Sequence, residues 1–283
     1  MIMYQKQLRT LRITSDSLVY GLAIVWFLIT VYPFMFLLQN SMKAPTEFYR
    51  TSVWSLPESL SSANYIQIWE NQIWRYFLNS VFLSGTSLTL ILVVASAAAF
   101  GLARIKFRGN SALYLLFVGG LTIPVHVTLI PVYTITKNMG LYDTLWALIG
   151  PYTAAAMPTT VFILTAFMKE IPGSLEEAAY IDGATRWDVY WHIVLPISRP
   201  ALTAVGIFNL VNLWNEFIFA LTLISSEQVR PLTLALWDFQ GQYSDDVPTM
   251  MSALLVSSLP VLVLYGIAKE RLIEGLTAGA IKG

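Results

Sequence analysis

Long apolar stretches alternate with short polar segments along the whole chain. Six stretches contain no Lys or Arg and are long enough to cross about 30 Å of hydrocarbon as helices: Leu18–Leu38, Leu78–Ala103, Ser111–Thr136, Thr144–Met168, Ala201–Ile224 and Thr249–Ala268. The pattern predicts an all-α, polytopic membrane protein with six transmembrane helices in residues 18–268, a polar segment at 1–17 and a tail at 269–283. Prolines at 124, 131, 151 and 158 predict kinks or short broken helices in the third and fourth spans.

The basic residues are distributed unequally between the two sides of these spans. Of the 17 Lys and Arg residues, twelve fall on the side that carries both termini. The other side has Lys43, Arg50, Arg75, Lys137 and Arg230. Because basic residues near span ends stay in the cytoplasm, both termini and the loop 169–199 are predicted to be cytoplasmic.

Composition supports lipid as the main solvent of this chain. Hydrophobic residues make up 56% of it and charged residues only 12%, about half the charged fraction of a soluble domain. A net charge of +0 gives no reason to expect a nucleic-acid partner. The absence of cysteine excludes thiol catalysis and thiolate metal sites, and two histidines alone argue against a zinc or haem centre.

The loop 169–199 carries two helix signals. Ser174 and Glu177 form an S-x-x-E pattern, which predicts a capped helix through Ile181 that ends with Gly183 at the C′ position. Thr185 and Asp188 predict a second helix start, and Pro196 is expected to stop that helix at Leu195.

Polar residues also occur inside the predicted fifth span. Asn209, Asn212 and Glu216 have i, i+3, i+7 spacing, and Asn215 adjoins them, so one helix face is polar. A carboxylate within a membrane span is a functional candidate by default, and these residues are candidates for a translocation path or gate. The alternative is that the asparagines only make interhelical hydrogen bonds.

A motif in the loop resembles a known family. Glu177-Ala178-Ala179, then Gly183, then Ile193, Leu195 and Pro196 follow the pattern E-A-A, three residues, G, nine residues, I-x-L-P. This resembles the EAA loop of ABC importer permeases. The resemblance implies that these seven residues belong to a coupling helix that sits in a cleft of a separate ATPase subunit. The alternative is that Glu177 only caps its own helix.

Two further segments resemble the smaller membrane subunit of maltose-type sugar permeases. One is Thr122–Asp143, which contains Gly140-Leu141-Tyr142-Asp143. The other is the glycine-rich end of the chain with Gly275, Gly279 and Gly283, a tail that in the family reaches the ATPase dimer interface. A disordered tail is the alternative.

The resemblance implies the type I ABC importer fold in a bacterial inner membrane, and import of a sugar or oligosaccharide. Implied partners are membrane lipid, a homologous second permease subunit, an ATPase dimer and an extracytoplasmic sugar-binding protein. The chain has no G-x-x-x-x-G-K-[ST] phosphate loop, so we expect a transport subunit without a cofactor of its own, with ATP and Mg bound by the ATPase. Alternatives are import of a non-sugar solute such as glycerol phosphate, and an ion-coupled secondary transporter that uses Glu216, although no inverted repeat is apparent.

Overall fold

The chain folds into helices joined by short connections. The computed structural model describes the backbone of residues 2–242 and 246–278, and the side chains of 17–237, 239 and 246–267. The helices are α1 Ile2–Ser41, α2 Pro45–Arg50, α3 Ala63–Glu70, α4 Ile73–Arg104, α5 Asn110–Gly120, α6 Leu129–Asn138, α7 Trp146–Glu170, α8 Ser174–Ile181, α9 Arg186–Val189, α10 Leu195–Ile197, α11 Arg199–Trp214, α12 Ile218–Leu223, α13 Leu232–Gln242 and α14 Val247–Ala278.

Four of these helices are long and apolar enough to span a membrane unaided. They are Ser17–Ser41, Ile73–Arg104, Trp146–Glu170 and Val247–Ile267. Two bent pairs raise the number to as many as six: Asn110–Gly120 with Val125–Asn138, bent by 98°, and Arg186–Ile197 with Arg199–Trp214, bent by 71°. The all-α, multi-span class predicted from hydropathy is therefore confirmed.

The prolines act differently in the third and fourth spans. In the third span the helix ends at Gly120 and resumes beyond Pro124 through a 3₁₀ turn, so the predicted break is present. The fourth span is one helix, α7, with Pro151 and Pro158 inside it. Pro158 instead packs closely against Gly120. A Cβ atom added to Gly120 would lie 2.9 Å from the Cγ atom of Pro158.

The predicted fifth span is interrupted, which corrects the single helix expected over Ala201–Ile224. Helix α11 ends at Trp214 and α12 begins at Ile218. The physical reason is that the Glu216 carboxylate accepts hydrogen bonds from the backbone amides of Phe219 and Ala220. The side chain therefore begins a new helix instead of continuing the old one.

The chain divides into two compact units. One comprises residues 1–71 and 239–256, and the other comprises 72–238 and 257–283. In the first, the buried Asn64 donates to the backbone oxygens of Ser41 and Lys43 at 2.7 and 2.8 Å. The fully buried Lys43 donates to the Ser52 carbonyl at 2.9 Å. Buried polar groups thus fix the connection between α1 and α3.

The second unit is organised around α4 and α7. Ala95 and Ala99 of α4 are fully buried with Val161 and Leu164 of α7 in one hydrophobic cluster. Small residues one helical turn apart allow helix backbones to approach closely. The same cluster includes Val189, Tyr190 and Val194 of the loop, so the loop packs on these helices.

Helix α8 ends as predicted but does not begin as predicted. The Ser174–Glu177 capping box is not formed, since the cap position is Gly173 and no side chain caps the helix. At the other end Gly183 adopts φ +85°. Its amide donates to the Tyr180 carbonyl at 3.1 Å, and the Ala184 amide donates to the Ala179 carbonyl at 2.9 Å, which is the Schellman pattern.

The second loop helix begins as predicted and ends later. The Thr185–Asp188 capping box is present. The helix then widens into a π turn over Tyr190–Val194 and continues to Ile197, so Pro196 does not stop it at Leu195. The Leu195 amide bonds to Tyr190 five residues back, and we attribute the tolerance of Pro196 to this wider turn.

The end of the chain departs from a simple tail at 269–283. Helix α14 continues to Ala278, so Gly275 lies within a helix. Gly279 and Gly283 lie outside the described residues.

The left-handed conformation of Gly183 generates a first prediction. Neither Gly183 nor Gly173 has any atom within 4 Å of an added Cβ, so alanine at either position differs only in backbone strain. We expect Gly183→Ala to destabilise the end of α8 by about 1–2 kcal/mol, which is roughly a five- to thirtyfold faster exchange of the amides at 183 and 184. Gly173→Ala, at φ −63°, is the matched control, and equal exchange in both variants would contradict the assignment. Hydrogen-exchange mass spectrometry provides the measurement.

Candidate functional site

The seven motif residues of the loop separate into two faces. Glu177 and Ala178 on α8 are exposed, as is Gly183. Ala179, Ile193, Leu195 and Pro196 are half-buried, and the first three pack against the hydrophobic cluster of α4 and α7. One face of the motif is therefore available for contact, while the other attaches the loop to the helices.

Large apolar side chains surround the exposed part of the motif. Ile181 is 85% exposed and Trp187 is 65% exposed. We call the exposed motif residues, together with the large exposed apolar residues beside them, the loop surface; it consists of Leu175, Glu177, Ala178, Tyr180, Ile181, Gly183, Trp187 and Trp191. Exposed apolar and aromatic side chains concentrated on a polar loop mark an interaction surface.

Two polar contacts tie the loop to α4. The Nε atom of Arg104 lies 3.0 Å from Oε1 of Glu176, and both side chains are largely buried. The Tyr190 hydroxyl and the Ser96 hydroxyl are 2.8 Å apart in a buried hydrogen bond. Sequence reasoning singled out Glu177 and missed Glu176. The available signal was the Glu-Glu pair itself, because consecutive residues on a helix point in directions about 100° apart.

The start of the second loop helix is stabilised by a charged cap. Hydrogen bonds from the Thr185 side chain and backbone lower the pKa of Asp188 below its ordinary value. The carboxylate accepts from the Thr185 amide at 2.8 Å, and Thr185 Oγ1 accepts from the Asp188 amide at 3.3 Å. The cap fixes the direction in which the chain leaves Gly183.

A second candidate site is a cavity of about 250 Å³ between α7, α11 and α12. Asn209, Asn212 and Glu216 line it together, as their predicted spacing implied. Asn215 does not line this cavity, and its amide donates back to the Val211 carbonyl at 2.8 Å. The remaining wall is mainly apolar and aromatic, with Val125, Tyr152, Ala155, Ala156, Thr159, Phe208, Leu213 and Phe219.

Glu216 is held by several protein groups. Its Oε2 accepts from the Tyr152 hydroxyl at 2.7 Å, and its Oε1 accepts from the Phe219 amide at 2.7 Å. The Thr233 hydroxyl donates to the Glu216 backbone carbonyl at 2.7 Å. An anion at a helix N-terminus is favoured by the helix dipole, so this carboxylate both begins α12 and forms part of the cavity wall.

The other end of α12 is held by Asp143. Its amide donates to the Leu223 carbonyl at 3.0 Å, and Oδ1 accepts from the amides of Ser225 and Ser226 at 2.8 Å each. Burial alone would raise the pKa of Asp143, but the hydrogen bonds from Ser226 and Ser225 and the charge of Arg230 lower it overall. The short helix beside the cavity is thus fixed at both ends.

The asparagines differ in their capacity to bind a ligand. Asn209 is buried and donates to Thr160 Oγ1 at 2.9 Å. Asn212 is exposed and donates to the Phe208 carbonyl at 2.8 Å. An amide has two donor hydrogens and an acceptor oxygen, so Asn212 can contact a ligand while keeping this bond. Within the described part of the chain no group of three or more His, Cys, Asp or Glu residues is placed to hold a metal ion.

Comparison with known proteins identifies the family. The profile of the family described as "binding-protein-dependent transport system inner membrane component" matches residues 91–276, a segment that contains both candidate sites. A putative ABC transporter permease protein of Caldicellulosiruptor sp. is 47% identical over 92% of this chain and 94% of its own length. The melibiose/raffinose/stachyose import permease protein of Bacillus subtilis is 32% identical over 98% of this chain and 100% of its own length.

The fold agrees with a solved structure. A bacterial ABC transporter involved in the import of the acidic polysaccharide alginate contains a chain that matches with a TM-score of 0.79. The match covers 89% of this chain and 94% of that chain, at 19% identity. The expected ABC importer permease fold is therefore confirmed. With a family profile over more than half of its length and full-length relatives at 47% and 32% identity, the chain belongs to the binding-protein-dependent transport system inner membrane component family.

Proposed function

We propose that this chain is the smaller permease subunit of an ABC importer for a sugar or oligosaccharide, driven by a separate ATPase. Relatives named for the uptake of diacetylchitobiose and of melibiose, raffinose and stachyose support a carbohydrate substrate. The observation that carries the proposal is the two-faced loop. It presents Glu177 and Ala178 outward while Ala179 and Ile193 pack against the transmembrane helices.

The loop surface would dock in a cleft of the ATPase subunit. Its exposed apolar side chains and the carboxylate of Glu177 suit an interface with an apolar core and a basic group on the partner. ATP and Mg would be bound by the ATPase dimer, and this chain would carry no cofactor. The end of the chain, from Gly275 through Gly279 to Gly283, would extend toward the ATPase dimer interface.

The remaining partners follow from the predicted orientation in a bacterial inner membrane. With both termini and the loop 169–199 in the cytoplasm, residues 39–77 would face outward toward a sugar-binding protein. Trp54, Leu56 and Trp69 are exposed there, as expected of a docking surface. A homologous second permease would complete the membrane part, and closure of the ATPase dimer would turn both permeases outward by rigid-body motion.

The cavity would form this subunit's part of the translocation path. A sugar ring has apolar C–H faces and hydroxyl edges, and the cavity offers aromatic rings together with amide and carboxylate groups. Its volume of about 250 Å³ is slightly below the ~300 Å³ lower limit of typical ligand sites, which suits one half of a path shared with a second permease. The lining includes no Lys, Arg or His, so this cavity favours a neutral sugar over glycerol phosphate.

The ion-coupled alternative is less well supported by the contacts of Glu216. Both of its carboxylate oxygens accept hydrogen bonds from protein groups. These bonds use three of the roughly four acceptor sites of a carboxylate. The contacts therefore favour a role for Glu216 as the cap of α12.

The coupling role of the loop surface is tested with Glu177→Ala in the reconstituted complex. We expect binding-protein-stimulated ATP hydrolysis and sugar uptake to fall about tenfold or more, because one member of an interfacial charge pair is removed. Glu170→Ala is the matched control, since Glu170 is an exposed carboxylate at the end of α7 outside the motif. Co-purification of all subunits establishes assembly. Unchanged uptake and hydrolysis in an assembled Glu177→Ala complex would refute the coupling role.

The proposal that the cavity forms part of the translocation path is tested with Asn212→Ala. We expect the maximal rate of sugar uptake, at saturating sugar-loaded binding protein, to fall about two- to tenfold, as for loss of one hydrogen bond to a neutral ligand. Asn215→Ala removes the same group three residues away but outside the cavity, and it should transport normally. Equal rates for the two variants would remove the cavity from the path.

A further inference from the structure

The last residue of α4, Arg104, contacts two segments that are distant from it in the sequence. Its Nε atom lies 3.0 Å from Oε1 of Glu176 in α8. Its Nη2 donates to the carbonyl of Ile171, the residue that follows α7. One guanidinium therefore joins the ends of α4 and α7 to the first turn of α8.

The contact is enclosed by protein. The Arg104 and Glu176 side chains are only 12% and 11% exposed, and the nearby Leu102 and Ile171 belong to the buried hydrophobic cluster. Removing one partner of such a pair would leave an uncompensated charge away from water, which is strongly unfavourable. The two charges are therefore held together away from water, although Nε and Oε1 are not aligned as a hydrogen bond. An exposed surface ion pair would contribute less.

Besides this pair, α8 is attached to the neighbouring helices through its two short connections and the packing of Ala179. The connection before α8 consists of residues 171–173. The connection after α8 contains Gly183, which has the left-handed conformation. Neither connection leads to α4, which is distant in sequence. The ion pair adds a direct polar contact with α4 to the packing of Ala179 against the cluster of α4 and α7.

Glu176 and Glu177 divide two roles between neighbouring positions. Consecutive helical residues point about 100° apart, so Glu176 faces Arg104 while Glu177 is exposed. A force applied at Glu177 by a docked partner is opposed one residue away by the attachment to α4. Displacement of α8 therefore has a direct route into the second span.

We propose that Arg104 and Glu176 are positioning residues that transmit movement of α8 to α4 and thereby couple ATP hydrolysis to transport. The inference rests on the proposed importer function. The contact would transmit movement from α8 directly to α4, without passing through Gly183 or the bend between α10 and α11. Neither residue belongs to the EAA motif.

The test uses Arg104→Gln and Glu176→Gln in the complete complex, reconstituted in liposomes with ATPase and binding protein. The readout is sugar transported per ATP hydrolysed. We expect this ratio to fall about tenfold in each variant, with basal hydrolysis retained, and the double variant to be no worse than either single one, because both remove the same interaction. The exchanged pair R104E/E176R should recover part of the ratio.

Matched controls separate positioning from general effects of charge. Arg108→Gln and Glu170→Gln make the same charge changes at exposed positions near the ends of α4 and α7, and both should leave the ratio unchanged.

A ratio unchanged in Arg104→Gln would overturn the proposal. The proposal would also be overturned if sugar uptake and ATP hydrolysis fell together, in proportion to the amount of assembled complex. The same holds if the effects of the two single variants on the ratio multiplied in the double variant. If the single variants do not assemble, the exchanged pair decides: a recovered ratio supports the route, and an assembled but uncoupled complex contradicts it.

The Glu177→Ala complex measured in parallel distinguishes two kinds of failure. If Glu177→Ala transports and hydrolyses normally, the coupling role of the loop fails and this inference fails with it. If Glu177→Ala abolishes stimulation while Arg104→Gln keeps the normal ratio, only the route through α4 is wrong.

Discussion

The hydrogen bonds of Glu216 to the start of α12 permit the membrane part of this protein to contain a cavity. In hydrocarbon every backbone amide needs a partner within the protein, and a span that breaks exposes the amides at its new helix start. Glu216 supplies acceptors for two of these amides and is itself held by Tyr152. With those groups satisfied, α11 can end at Trp214 and leave space bounded by Asn209 and Asn212.

Helix α4 supports both helix α7 and the loop in the second unit. Its middle, at Ala95 and Ala99, lets α7 approach closely, and Ser96 on the same segment bonds to Tyr190 of the loop. Its last residue, Arg104, holds the start of α8. Because two attachments of the loop lie on one continuous helix, the loop is part of the transmembrane framework and not a flexible connector.

Hydropathy predicted the spans because the solvent itself enforces helices there, and the EAA spacing singled out the loop, in which Glu177, Ala178 and Gly183 are exposed. Predictions of helix starts and ends from short sequence patterns failed where other contacts determined where the helix begins or ends. Ser174 and Glu177 have a capping pattern, but Ser174 is the first residue of the helix and not its cap. The neighbouring Glu176 pairs with Arg104. Pro196 reads as a stop, yet the π turn over Tyr190–Val194 precedes it and the helix continues to Ile197. Glu216 has the spacing of one more polar residue of a helix, but its carboxylate accepts from the amides of Phe219 and Ala220 and caps α12, and Tyr152 on α7 holds it in place.

A helix of eight residues such as α8 is about 12 Å long, and an isolated helix of this length is marginal in water. A partner pressing on such an element would deform it before moving anything beyond it, unless the helix were held from behind. The Schellman bonds at Gly183 and the pair Arg104–Glu176 hold its two ends, and Ala179 packs its inner face against the core. In the proposed coupling role, the exposed motif residues would therefore depend on the buried contacts that hold α8, so the inner face of the loop would matter as much as its outer face.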